Sequence, residues 1–118
     1  MDIDFIPFKL GMEYDNWEFD LESDYETIEF ERYLYVKKDM DALFGIPVER
    51  IYLSFNADIL FMVEYEFKSK YIESLKSKLG SILGKGTFRD FGSCVEWRHG
   101  DLTLGVCRNC RNYILTYK

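Results

Sequence analysis

The sequence predicts an α+β domain: an antiparallel sheet of six or seven strands with one long helix packed on one face. Three observations lead there. Residues 51–67 alternate in character around turn chemistry at Asn56-Ala57-Asp58, and residues 70–83 carry an apolar stripe at helical spacing. Three short alternating segments then follow, near residues 93–98, 102–107 and 112–117. At 118 residues the chain has room for one domain, 1–118, and no linker or internal repeat divides it.

The first half is the harder to read. Trp17, Phe19 and Leu21 alternate with Glu18, Asp20 and Glu22, as a strand would, yet Leu10, Tyr14, Trp17 and Leu21 fit a helical stripe. Periodicity leaves residues 12–22 open between helix and strand. Ile28, Phe30, Leu34 and Val36 form one face of a following strand, interrupted by Arg32. Residues 43–50, with Gly45 and Pro47, lead into the central hairpin.

In that hairpin Ile51, Leu53 and Phe55 share a face on the first strand. On the second, Ile59, Phe61, Val63, Tyr65 and Phe67 share one face, and Leu60, Met62, Glu64 and Glu66 the other. Ser69 is placed to cap the helix and Gly84 to close it, with Tyr71, Ile72, Leu75, Leu79, Ile82 and Leu83 as its stripe. Turns at Gly100-Asp101 and over residues 108–111 join the last three strands.

Composition sets the class. An apolar content of 47% excludes a disordered tail, and 31% charged residues with no apolar run near 20 residues exclude a membrane-spanning chain. Three cysteines make no disulfide framework, and the stretch MDIDFIPFKL is acidic where an export signal is basic. The expected compartment is the cytoplasm, where free thiols are the default and a cross-strand Cys94–Cys107 disulfide is the alternative.

Catalytic and metal chemistry find no support. Cys94, His99, Cys107 and Cys110 hold every cysteine and histidine, enough ligands for zinc. A two-residue turn at Gly100-Asp101, however, sets Cys94 opposite Cys107 and His99 at the far end of the hairpin, about 16 Å away. The same separation denies His99 a cysteine nucleophile. Gly80 to Thr87 has the look of a phosphate loop but lacks its spacing, its Ser/Thr and its preceding strand. Lys68, Lys70, Lys76, Lys78, Lys85 and Arg89 read as a solvated helix face, not a nucleic-acid surface, given a pI near 4.8. No enzyme activity, metal, cofactor, nucleic acid or membrane partner is expected.

Charge carries the functional reading. Residues 1–67 hold 5 Lys/Arg against 17 Asp/Glu, and residues 68–118 hold 10 against 4. Residues 13–31 contain nine acids and no base, interleaved with Tyr14, Trp17, Phe19, Leu21, Tyr25, Ile28 and Phe30. Pairing 17–22 with 27–36 so that apolar faces coincide sets Asp20 opposite Glu29 and Glu18 opposite Glu31, on a face with Tyr33 and Tyr35. Like charges directly opposite cost about 0.2–1 kcal/mol per pair, so such a face suits a cationic partner. Glu18, Asp20, Glu22, Glu29, Glu31, Tyr33 and Tyr35 are the candidate partner-binding residues. A solubilising face is the plainer alternative.

In its single compact domain, its lack of catalytic residues and the acidic aromatic stretch from Glu13 to Tyr35, the chain resembles the small bacterial immunity proteins that neutralise interbacterial toxins. The resemblance implies a stoichiometric cytoplasmic inhibitor of one cognate basic toxin domain, often a nuclease. The basic second half allows a homodimer through end-to-end charge complementarity. The alternative is a small structural or lipoprotein-like α+β module with no toxin partner.

Overall fold

The structure is a computed structural model and describes residues 8–89, 93–109 and 111–118. Its main feature is an eight-stranded antiparallel sheet in the order β1-β2-β5-β6-β10-β9-β8-β7. These strands are β1 (Leu21–Glu26), β2 (Glu31–Tyr35), β5 (Arg50–Asn56), β6 (Ile59–Lys68), β7 (Thr87–Arg89), β8 (Cys94–His99), β9 (Leu102–Asn109) and β10 (Asn112–Tyr117). A separate ribbon pairs β3 (Ala42–Leu43) with β4 (Ile46–Pro47). The helix α1 (Ile72–Leu83) has 12 residues. The expected α+β class holds, but the sheet exceeds six or seven strands and the helix is short. The additional strand β7 is only three residues, too few to show a period of two. Among the described residues no helix is long and apolar enough to cross a membrane.

The β5–β6 hairpin forms as its alternation predicts, with a correction at its tip. Ala57 and Asp58 form a two-residue turn with φ of 50° and 67°, the left-handed pair that suits the twist of a tight hairpin. Just beyond, the register slips: Ser54 faces Met62 but Phe55 faces Leu60, so Phe61 is an extra residue in a bulge. Leu60 therefore joins Val63, Tyr65 and Phe67 in the core, where the alternation alone would place Ile59 and Phe61.

Two separate segments cover the inner face. Over one half lies α1, its Leu75 and Leu79 fully buried. Ser69 does not cap this helix; β6 runs through Lys68 straight into a 3-10 turn at Ser69–Tyr71, with no side-chain cap. Gly84 ends the helix at φ 84°, its N–H donating to the Gly80 carbonyl at 2.9 Å.

Over the other half lies the segment from Phe8 to Asp20. It first runs beside β6, past the end of β10: the Gly11 N–H donates to the Leu60 carbonyl and the Leu60 N–H to that of Met12. It then forms 3-10 turns at Tyr14–Asn16 and Glu18–Asp20, neither the strand nor the α-helix open to residues 12–22. A 3-10 helix repeats every three residues, which brings Tyr14 and Trp17 to the same side. Both rings meet Phe55, at 5.4 and 6.1 Å between centroids. Phe8 lies 4.9 Å from Tyr35, and its carbonyl accepts a 2.6 Å hydrogen bond from the Tyr117 hydroxyl.

The last strands follow their expected register. His99 faces Leu102 across the Gly100-Asp101 turn, and Cys94 faces Cys107. These two cysteines are joined in a disulfide, with Cα atoms 4.2 Å apart, so the free-thiol expectation is corrected. Directly opposed cysteines on neighbouring strands bring their sulfur atoms together. Within the expected 108–111 turn, Asn109 still belongs to β9 and faces Asn112, and Cys110 lies outside the described residues.

Two stability outcomes follow. Leu79→Ala should cost about 2–5 kcal/mol in chemical denaturation, the usual range for a fully buried leucine truncation. Ala57→Gly should stabilise the fold by about 1 kcal/mol, because it removes the Cβ clash of a left-handed residue; a lowered denaturation midpoint would contradict that turn geometry.

Candidate protein-binding edge

The acidic stretch forms one edge of the sheet, in a register different from the one the apolar pattern selects. Leu21 faces Tyr35, Glu22 faces Leu34, Ser23 faces Tyr33, and after a bulge at Asp24, Tyr25 faces Arg32 and Glu26 faces Glu31. The predicted pairs Asp20–Glu29 and Glu18–Glu31 do not form. Residues 18–20 are drawn into the 3-10 turn that lets Trp17 reach the core, and this moves the strand start to Leu21. The four-residue connection is Thr27 to Phe30, not Ser23 to Glu26.

Tyr33 and Tyr35 also change role. They point to the inner face and pack against the core, Tyr33 at 5.8 Å from Phe55 and 5.1 Å from Tyr14. Their hydroxyls donate outward, Tyr33 to Glu31 at 2.6 Å and Tyr35 to Asp39 at 2.7 Å. Burial raises both phenols above their ordinary value, and the carboxylate acceptors add to it. They are core residues with polar tips, not free anchors.

The exposed apolar residues are others. Phe19 is 93% exposed in its 3-10 turn, and Ile28 is 105% exposed at the hairpin tip. The apolar pattern would bury both. Glu18, Glu22, Asp24, Glu26 and Glu29 are exposed around them, with Asp20 partly so. Thr27 holds the tip: its hydroxyl accepts the N–H groups of Glu29 and Phe30 at 3.1 Å, and its own N–H donates to the Phe30 carbonyl at 2.8 Å. This local closure fixes the loop while leaving Ile28 outside it. The Thr27-x-x-Phe30 spacing was the available signal for such a turn.

On the outer face Arg32 organises the hairpin root. Its guanidinium lies 3.8 Å from the Tyr52 ring centroid and 5.5 Å from that of Tyr25, and its Nε is 3.5 Å from both Asp24 and Glu64. Phe30 adds edge contacts to Tyr25 and Phe61 at 5.8 and 5.7 Å, so the bulged Phe61 supports the β1–β2 hairpin from outside the core. Burial pushes the Glu64 carboxyl above the ordinary carboxylate range, and the Arg32 charge pulls it part of the way back.

At the opposite edge the glycines of the rejected phosphate loop have structural duties. Gly86 abuts β8 so closely that a Cβ would lie 2.5 Å from Val95 Cγ1 and 2.9 Å from the Trp97 ring. The Trp97 indole N–H donates to the Gly84 carbonyl at 2.8 Å. Among the described residues no three His, Cys, Asp or Glu side chains converge as metal ligands. Comparison with protein-family models, curated proteins and solved structures returns no match.

A titration tests the role of Arg32. A carboxyl whose folded pKa exceeds its unfolded one binds more protons when folded, so its contribution to stability falls as pH rises between the two values. Arg32→Ala should widen that interval for Glu64, so that the loss of stability above the ordinary carboxylate range extends to higher pH. It should also lower stability at pH 7 by about 1–3 kcal/mol. Adding Glu64→Gln should flatten the pH dependence again, as read from denaturation midpoints across the range.

Proposed function

We propose that the chain is a stoichiometric protein-binding inhibitor, an immunity protein that neutralises a basic toxin in the cytoplasm through the acidic β1–β2 edge. The observation that carries this reading is the placement of Phe19 and Ile28, highly exposed apolar side chains at the two ends of the acidic strand β1. Water disfavours such exposure, and a partner with a basic, partly apolar surface would relieve it. Glu18, Asp20, Glu22, Glu29 and Glu31 steer the encounter, and Ile28 and Phe19 replace Tyr33 and Tyr35 as packed anchors. A tip closed by Thr27 loses little freedom on binding, which favours affinity.

The disulfide favours a second reading. Disulfides persist in oxidising compartments, and a Cys94–Cys107 bond that forms in the cell would suit an extracytoplasmic structural module. Trapping the thiols on cell lysis separates the two: reduced Cys94 and Cys107 fit the cytoplasmic inhibitor.

The binding experiment is a pull-down from the producing cell at low salt, followed by kinetics on the retained basic protein. Glu22→Lys with Glu29→Lys should slow association at least tenfold and flatten its salt dependence, since exposed charges act over about 10 Å at 0.1 M salt. Ile28→Asp should mainly raise the dissociation rate. A merely solubilising edge predicts that neither variant changes binding.

A further inference from the structure

A pocket of about 220 Å³ opens at the opposite end of the sheet, where α1 stops short of the last two strands. Phe88, Val95, Trp97 and Gly86 line it together with Lys76 and Lys85, the Lys76 ammonium also lying 5.9 Å from the Tyr113 ring centroid. Phe88 faces Val95 across the β7–β8 pair and is 66% exposed, so one large ring stays uncovered at this edge beside the buried Val95 and Trp97. Trp97 is fixed there by its bond to Gly84, and the missing Cβ of Gly86 keeps the indole against the chain. The pocket is therefore built into the fold.

We propose that this pocket receives the Ile28 tip of a second copy of the chain, in a head-to-tail contact. The tip offers one aliphatic side chain with Glu26 and Glu29 beside it, and the pocket offers an apolar floor with Lys76 and Lys85 beside it. Shape and charge match in kind. The matching extends outward, because residues 68–118 hold 10 Lys/Arg against 4 acids and residues 1–67 the reverse excess. Pairing of the two free sheet edges is the less favourable contact: β1 is bulged and lined with acids, and β7 has three residues. Tip and pocket lie at opposite edges of one sheet, so each contact leaves one of each unused, and the association continues beyond two copies. It also covers the tip through which the toxin would bind, making self-association and inhibition mutually exclusive.

Complementation of two variants tests the contact. Ile28→Asp spoils the tip on an exposed loop. Gly80→Leu fills the pocket from the helix, at a position where a Cβ meets nothing within 4 Å; Lys85→Glu is a second pocket variant on an exposed side chain. By sedimentation at low salt the wild type should exceed twice 14.1 kDa as concentration rises, and return to 14.1 kDa near 1 M salt, where charges reach only about 3 Å. Each variant alone should stay at 14.1 kDa, with unchanged circular dichroism. An equimolar mixture of Ile28→Asp with either pocket variant should form a dimer and nothing larger. A wild type that stays monomeric or stops at a dimer overturns the proposal, as does self-association of any single variant or a mixture that stays monomeric. The pocket variants keep the tip, so their binding to a basic partner reports on the inhibitor reading separately.

Discussion

The inner face of the sheet spans about 34 Å from β1 to β7 at the usual strand spacing, and it must be kept from water by a helix only about 18 Å long and 10–12 Å wide. Most of the fold answers that shortage. The segment from Phe8 to Trp17 covers the half that α1 cannot reach, and Leu43 and Ile46 of the small ribbon are buried in the same core. To serve there, Tyr14 and Trp17 must point the same way three residues apart, which imposes the 3-10 turns and delays β1 to Leu21. Tyr33 and Tyr35 are drawn inward for the same reason, to meet Tyr14, Phe55 and Phe8. What remains at the edge is acid, with Phe19 and Ile28 left outside. At the other end Val95 and Trp97 are buried, and only Phe88, beside the pocket, is left exposed.

Legibility in the sequence followed from how far each segment obeys a single period. The stretch from Cys94 to Tyr117 is regular, so a two-residue turn at Gly100-Asp101 was enough to place Cys94 opposite Cys107. The α1 stripe was equally plain, because Leu75 and Leu79 recur at helical spacing on a segment ended by glycine. The β6 bulge could not be seen, since residues 59–63 are all apolar and a slip of one leaves the pattern unchanged. In the first half the acidic character of the edge was legible, but not which aromatic residues would be packed and which exposed. Half-buried Tyr33 and exposed Phe19 occur in the same alternation of acid and ring. That division depends on the bulge at Asp24 and the 3-10 turns, both fixed by packing against distant strands.

Sheet order also converts a difference along the chain into one across the molecule. β1 and β2 lie at one edge and β8 and β7 at the other, so the acid-rich and base-rich halves are held apart instead of neutralising each other. Few ion pairs cross between them among the described residues; Lys68 with Glu49 is one, at 3.5 Å. The separated charge gives the molecule a dipole that would orient an approaching basic protein before contact.

Strand β10 enters this sheet between β6 and β9, although it is synthesised after both. Without residues 112–117 the remaining strands divide into two half-sheets, β1-β2-β5-β6 and β9-β8-β7, each with an unpaired inner edge. Such edges invite pairing with other chains. The final six-residue strand closes both at once, and the Tyr117 hydroxyl then bonds the Phe8 carbonyl, 109 residues earlier. Loss of β10 would therefore leave a chain that contains every residue of the acidic edge yet cannot protect its own interior.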